Sequence, residues 1–278
     1  MESTTADQAT IAALKRRAKT LRRHILAPAS TYFAHLGGAM SCADIMAALH
    51  FHFLRLDEAA CDPGQRPDYF LMSKGHAVTA LHACLVELGH VDAAELPLSG
   101  RPGSRLAGHP TKRAPRVEFA TGSLGHALSV GIGIAMAEQL NASDARTVVL
   151  LGDGELQEGT VWEAALSAPR FGLDNLIAIV DYNRFQAGGR VDEVMPLEPL
   201  ADKWRAFRWN VTEIDGHDMQ EIVTALESVP AAKGPTAIIA HTVKGKGVPG
   251  VEGTGRAHYT MLTDDEVQRT LAALEGAS

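Results

Sequence analysis

The chain has 278 residues, is 46% hydrophobic and carries a formal net charge of −7. That length suits one large α/β domain with a substantial core, and the acidic balance argues against bulk nucleic-acid binding. Cys42, Cys61 and Cys84 form no CxxC pair and are odd in number, so neither a zinc site nor a disulfide framework is expected, and free thiols fit a reducing compartment. No run approaches 18 uninterrupted apolar residues, and the start MESTTADQAT lacks a signal-peptide core. The chain therefore reads as cytoplasmic, with no membrane partner.

Ile11, Leu14, Ala18, Leu21 and Ile25 recur at helical spacing and predict a helix over 8–27, ended by Pro28, behind a disordered tail at 1–7. Its basic clusters, Lys15-Arg16-Arg17 and Arg22-Arg23, read as a solvated or partner-facing stripe. Residues 29–41 read as a Gly-rich loop holding His35, and Ser41 as the cap of a helix over 42–53. A polar loop at 57–68 precedes a short strand at 69–72. Ser73-Lys74-Gly75-His76 then turns into an apolar helix ending near Gly89. Residues 97–118, rich in proline, glycine and basic side chains, form a long irregular loop of the kind that often carries function. A helix over 124–140 follows, then strand 147–151, helix 159–168, strand 176–180, loop 183–199, strand 211–214, helix 218–228 and strand 236–240. A last helix at 263–275 opens with the capping box Thr263-Asp264-Asp265-Glu266. This alternation implies a mainly parallel sheet with helices on both faces, in a single domain.

Two of these strands end on informative residues. Gly152-Asp153-Gly154 closes one and Asp181-Tyr182-Asn183 the other, with Asp153 and Asn183 30 residues apart, about one strand–helix–strand unit. In a parallel sheet both emerge at carboxyl ends of strands, where α/β folds place ligands. One carboxylate and one amide oxygen suit a small hard cation already bound to phosphates, whereas more carboxylates would repel the phosphates. Glycine amides at a helix start favour an anion. A lone GDG is nonetheless a common turn.

The segment LGDGELQEGTVWEAALSAPRFGLDNLIAIVDYNRFQ closely resembles the metal–diphosphate motif of thiamine diphosphate enzymes, and in particular the transketolase branch. The resemblance continues through AHLGG at 34–38, SKGH at 73–76, GHP at 108–110, TGSLG at 121–125, DGHD at 215–218 and HTVKGKG at 241–247, in the family's order over about residues 11–260. It implies the α/β thiamine diphosphate-binding fold. It also implies a divalent ion, Mg²⁺ or Ca²⁺, held by Asp153, Asn183 and the backbone carbonyl of Phe185. Gly152, Gly154, Glu155, Asn183, His76 and His241 would lie by the diphosphate, and Gly122-Ser123-Leu124 would line the cofactor. His35, His109 and His241 match histidines of the substrate channel, where imidazole can bind hydroxyls and exchange protons near neutral pH. Glu158 matches a glutamate at the dimer interface that joins a chain of carboxylates between two active sites. Read from their places alone, His76 could cap a helix and Glu158 could serve the helix dipole. The roles of His126, His217 and His258 stay open.

The sequence also departs from the family pattern. Ala34 and Leu36 flank His35 where SGHPG is usual, and Tyr259 stands after His258 where glycine is typical, which leaves the substrate fit open. Signatures of the family's second, pyrimidine-binding domain are absent from these 278 residues. The resemblance thus implies an amino-terminal subunit that works with a separate carboxy-terminal subunit, as an α2β2 assembly, on sugar phosphates or related ketoses and aldehydes. The expected activity is transfer of a two-carbon ketol unit. Other readings are another thiamine diphosphate carboligase or decarboxylating synthase, and a non-catalytic scaffold subunit. A dinucleotide-binding protein fits poorly, since no GxGxxG follows the first strand.

Overall fold

The computed structural model describes residues 7–31, 34–57, 61–62 and 65–276. The expected tail at 1–7 lies outside them except for Asp7, whose carboxylate caps the first helix by accepting from Thr10 N at 2.7 Å. That helix, α1 (Gln8–Leu26), buries Ile11, Leu14, Ala18, Leu21 and Ile25, the stripe read from the sequence.

Two short helices follow, α2 (Leu36–Ser41) and α3 (Ala43–Ala48), with the chain running on through one π-helical turn at Leu49–Phe53. Gly37 and Gly38 argue for a loop up to Ser41. The helix forms anyway since every residue of α2 is buried, and packing outweighs propensity. The glycines serve close approach. A Cβ on Gly37 would stand 2.2 Å from the carbonyl oxygen of Ala257, and one on Gly38 3.1 Å from Nε2 of His76. Gly37→Ala is therefore expected to overpack the core and to cost about 1–3 kcal/mol in urea unfolding. Ser41 is not a cap. Its buried hydroxyl donates to Asp181 at 2.6 Å.

Strand β1 (Tyr69–Met72) leads through a single 3₁₀ turn into α4 (Val78–Glu87), and α5 (Ala127–Leu140) follows the long 97–118 loop. Next come β2 (Thr147–Gly152), α6 (Gly159–Ser167) and β3 (Leu176–Tyr182). The 183–199 stretch holds a small antiparallel ribbon, β4 (Phe185–Gln186) with β5 (Gly189–Arg190), and one helical turn, α7 (Val191–Val194). Helix α8 (Leu200–Ala206) has no apolar repeat long enough to announce it; buried Trp204 anchors it. The remaining elements are β6 (Asn210–Asp215), α9 (Met219–Ser228), β7 (Thr236–His241) and α10 (Asp264–Gly276). The expected capping box is present at α10. Glu266 accepts from Thr263 N at 2.8 Å, and Glu266 N donates to the Thr263 hydroxyl at 3.2 Å.

All five main strands are parallel, in the order β1-β2-β3-β7-β6. The sheet is buried on both faces, as parallel sheets are. Val148, Leu150, Ile177, Ile179 and Ile238 point into one core with α1, α3, α4 and α9, whereas Val149, Leu151, Ala178, Val180 and Ile239 point into the other with α5, α6 and α8. Among the described residues no helix is long and apolar enough to cross a membrane.

Candidate active site

The pairing of β2 with β3 sets Gly152 opposite Asp181, so Asp153 and Asn183 leave the same edge of the sheet on neighbouring strands. The Asp153 carboxylate accepts from Gly154 N at 2.7 Å and, in a short contact, from Arg184 N. Asn183 Oδ1 accepts from Phe185 N at 3.2 Å, and its amide donates to Asp181 at 2.9 Å. Between Asn183 and Phe185 the backbone of Arg184 sits at φ +68°, a conformation that costs a non-glycine residue energy and often marks a functional turn. Burial, then the charge of Asp181, pushes the Asp153 carboxyl up to about 6. A bound cation would offset both effects.

Beneath this pair is a buried hub that sequence reasoning leaves unassigned. Asp181 and Lys74 are fully buried and in direct contact. Lys74 also donates to the Gly38 carbonyl at 2.9 Å, while Asp181 accepts from Ser41, Asn183 and Thr242. Burial alone would raise the pKa of Asp181, but Lys74 and these donors hold it below the usual carboxylate range. A strand-ending aspartate is the signal that could have flagged it. Asp181 is the residue that orients the Asn183 amide. Glu155, expected beside phosphates, is also buried and accepts from Ser73, from Gly125 N at 2.8 Å and from Gly152 N at 3.0 Å. It ties three loops together at the pocket wall.

The pocket itself is a cavity of about 370 Å³ whose walls include His35, His76, His109, Gly122, Leu124, Asp153, Gly154, Asn183 and His258. His35 is the hub of the histidine cluster on these walls. Its ring centroid is 5.2 Å from His76, 6.1 Å from His109 and 5.4 Å from His258. The backbones of Ala34 and Thr260 bond to each other in both directions, at 3.2 and 3.1 Å, and this pins His35 beside His258. Tyr259 packs on His35 from outside, at 4.9 Å. Burial, followed by neighbouring charge, lowers His35 to about 4 and His258 to about 3; burial lowers His109 and, with Lys74, holds His76 well below the ordinary value. All four rings are therefore neutral at pH 7 and can each donate one hydrogen bond and accept another.

Lys244, inside HTVKGKG, brings the cation to this wall. Its Nζ donates to the Phe185 carbonyl at 2.7 Å and to His258 Nδ1 at 2.9 Å. Burial, then Lys74, lowers it to about 8. Two glycines let neighbouring side chains approach closely in the pocket wall. Gly122 has φ +145° and lies against His109, where a Cβ would be 3.1 Å from the ring, and a Cβ on Gly154 would meet Gln186 at 2.9 Å.

Two expected residues fall elsewhere. His241 ends β7 but turns away from the cavity: its Nε2 is 3.2 Å from Glu213, and its ring packs on Tyr182 at 5.3 Å. His258, whose place sequence alone leaves open, lines the cavity instead. Ser123 is exposed between Gly122 and Leu124 and does not line the cavity. Glu158 lies at the rim, exposed, and its carboxylate makes no capping bond to α6. His126 is exposed at the start of α5.

Comparison with known proteins settles the family. Residues 18–276 match the transketolase thiamine diphosphate-binding domain. This chain belongs to the transketolase family. It is 42% identical over 238 residues to one chain of the apulose-4-phosphate transketolase of Phocaeicola vulgatus, covering 85% of this chain and 84% of that one. It is 41% identical over 244 residues to SqwG, a chain of the 6-deoxy-6-sulfo-D-fructose transketolase of a Clostridium species, covering 87% and 88%. A crystal structure of a transketolase variant from Pichia stipitis superposes with a TM-score of 0.86 at 28% identity, over 94% of this chain but only 40% of that longer one. The residues of the transketolase-type site fit a metal-bound diphosphate. One carboxylate, one amide oxygen and one carbonyl form a mixed oxygen donor set. Among the described residues no cluster of three His, Cys, Asp or Glu side chains offers a different metal site.

Proposed function

We infer that the chain is the diphosphate-binding subunit of a two-component transketolase, moving a two-carbon ketol unit from a ketose donor to an aldehyde acceptor. The observation that carries this reading is the convergence of Asp153, Asn183 and four neutral histidines on one cavity at the carboxyl edge of the sheet, with the buried Lys244 bonded to His258 of its wall. Asp153, the Asn183 amide oxygen and the Phe185 carbonyl would hold Mg²⁺ or Ca²⁺. Lys244, His76 and the amide of Gly154 would face the diphosphate. Thiamine diphosphate, when bound, supplies the electron sink for breaking and making the carbon–carbon bond. His35, His109 and His258 would bind sugar hydroxyls and pass protons at their ring nitrogens.

The need for a partner is supported by relatives of this length that are named as single subunits of a transketolase, and by exposed apolar side chains on α5 and α6. Leu166 on α6 is 64% exposed and Leu140 on α5 is 85% exposed, and Glu158 stands at the rim with no capping bond. An α2β2 assembly with a carboxy-terminal subunit, in the cytoplasm, completes the reading. A coupled aldehyde-transfer assay tests it. The chain mixed with that subunit should move glycolaldehyde from a ketose phosphate, and the chain alone should not. Turnover of an α-keto acid instead would favour a decarboxylating synthase, and cofactor binding without any turnover a scaffold. In the active mixture His109→Ala is expected to lower kcat by about 100-fold or more, with cofactor affinity near wild type. Equal kcat would remove His109 from proton handling.

A further inference from the structure

The turn that carries Lys244 is braced by a chain of polar groups that begins on α1. Arg22, a buried residue of α1, donates two hydrogen bonds to the Asp44 carboxylate on α3, at 3.0 and 2.6 Å. Asp44 is also 2.8 Å from Nδ1 of His217, in the turn between β6 and α9. The other ring nitrogen, Nε2, accepts the backbone N–H of Val243 at 2.9 Å. A backbone amide can only donate, so the ring proton sits on Nδ1 and faces Asp44. The two turns are also in tight steric contact. Gly216 N donates to the His241 carbonyl at 2.8 Å, and a Cβ on Gly216 would stand 2.4 Å from Thr242 Cγ2. Val243 is followed directly by Lys244, whose ammonium reaches the Phe185 carbonyl and His258, a residue of the pocket wall.

We propose that His217 is a positioning residue for the diphosphate side of the pocket. Through its Nε2 it fixes the amide of Val243, and with it the 242–246 turn, so that Lys244 is held at the Phe185 carbonyl. Arg22 and Asp44 hold the ring in the one tautomer that leaves Nε2 free to accept. The basic residue Arg22 is thus the root of an internal brace rather than part of a solvated stripe. The consequence for cofactor binding rests on the pocket being the diphosphate site; the positioning does not.

Two near-isosteric variants separate the halves of the brace. The terminal amide of glutamine reaches the place of Nε2, and that of asparagine the place of Nδ1. His217→Gln keeps an acceptor for Val243 and loses the link to Asp44, whereas His217→Asn does the reverse. Amide hydrogen exchange at residues 243–245 is expected to be slow in the wild type and in His217→Gln, and about tenfold faster in His217→Asn, as for loss of one hydrogen bond. Titration with Mg²⁺ and thiamine diphosphate should follow the same order, with the asparagine variant weaker by about tenfold and the glutamine variant close to wild type. A merely structural His217 would give the opposite pattern: unfolding midpoints falling in both variants, with exchange and affinity alike in the two. That result overturns the proposal. Wild-type chain that binds no cofactor, alone or with its partner subunit, would overturn the pocket reading instead, and the exchange contrast would still decide the brace.

Discussion

Asp153→Ala is expected to abolish metal-dependent binding of thiamine diphosphate. Loss of a group that merely supports a metal ligand typically costs 10–100-fold in affinity. Loss of the charged ligand itself should exceed about 100-fold in titration calorimetry with the partner subunit present. The same variant has a second, opposite signature. Asp153 is buried beside Asp181, and both burial and that charge disfavour its ionised form. Alanine removes this conflict, so the unfolding midpoint should hold or rise while binding is lost, as expected where a site trades stability for function. Unchanged cofactor affinity would sink the metal assignment. A large fall in stability would show instead that the bonds to Gly154 N and Arg184 N matter more than the charge.

Lys74→Met should produce the largest loss of stability of any single change near the site. Lys74 and Asp181 are both fully buried, and removing one member of such a pair strands the other charge, at a cost of about 3–5 kcal/mol. Urea unfolding of the variant measures this directly. Adding Asp181→Asn to Lys74→Met should restore much of the loss, because the stranded carboxylate is then gone, and the double-mutant cycle gives the coupling. Additive effects of the two changes would mean that Ser41, Thr242 and Asn183 satisfy Asp181 without the lysine. Cofactor affinity should fall in both single variants, since Asp181 orients the Asn183 amide.

Much of this architecture is legible in the amino-acid order alone. The apolar runs that form β2, β3 and β7, and the helical stripe of α1, follow from burial patterns that a sequence displays openly. So do Asp153 and Asn183, because strand ends in an alternating α/β chain share one edge. What stays hidden depends on contacts between distant segments. Helix α2 forms across two glycines because it is buried against Ala257 and His76, which no local pattern reports. His241 and His258 lie 17 residues apart in similar company. Only the antiparallel contact of Ala34 with Thr260 puts His258 beside His35, while the end of β7 leaves His241 against Glu213. Lys74, Asp181 and Lys244 stand inside recognisable motifs, yet their roles come from burial. The brace from Arg22 to Val243 spans four separate segments and has no signature beyond the DGHD turn.

The strand order has a consequence for biosynthesis. Strand β7 is the last of the sheet to be made and lies between β3 and β6, and β6 pairs with no other main strand. Until residues 236–241 leave the ribosome, β3 shows a bare apolar edge and β6 has nothing to join. The nascent polypeptide must wait in that half-zipped condition, when open strand edges are most prone to sticking to one another. Closure by β7 then delivers the 242–260 segment, so the ligand pocket is among the last parts of the molecule to come into being.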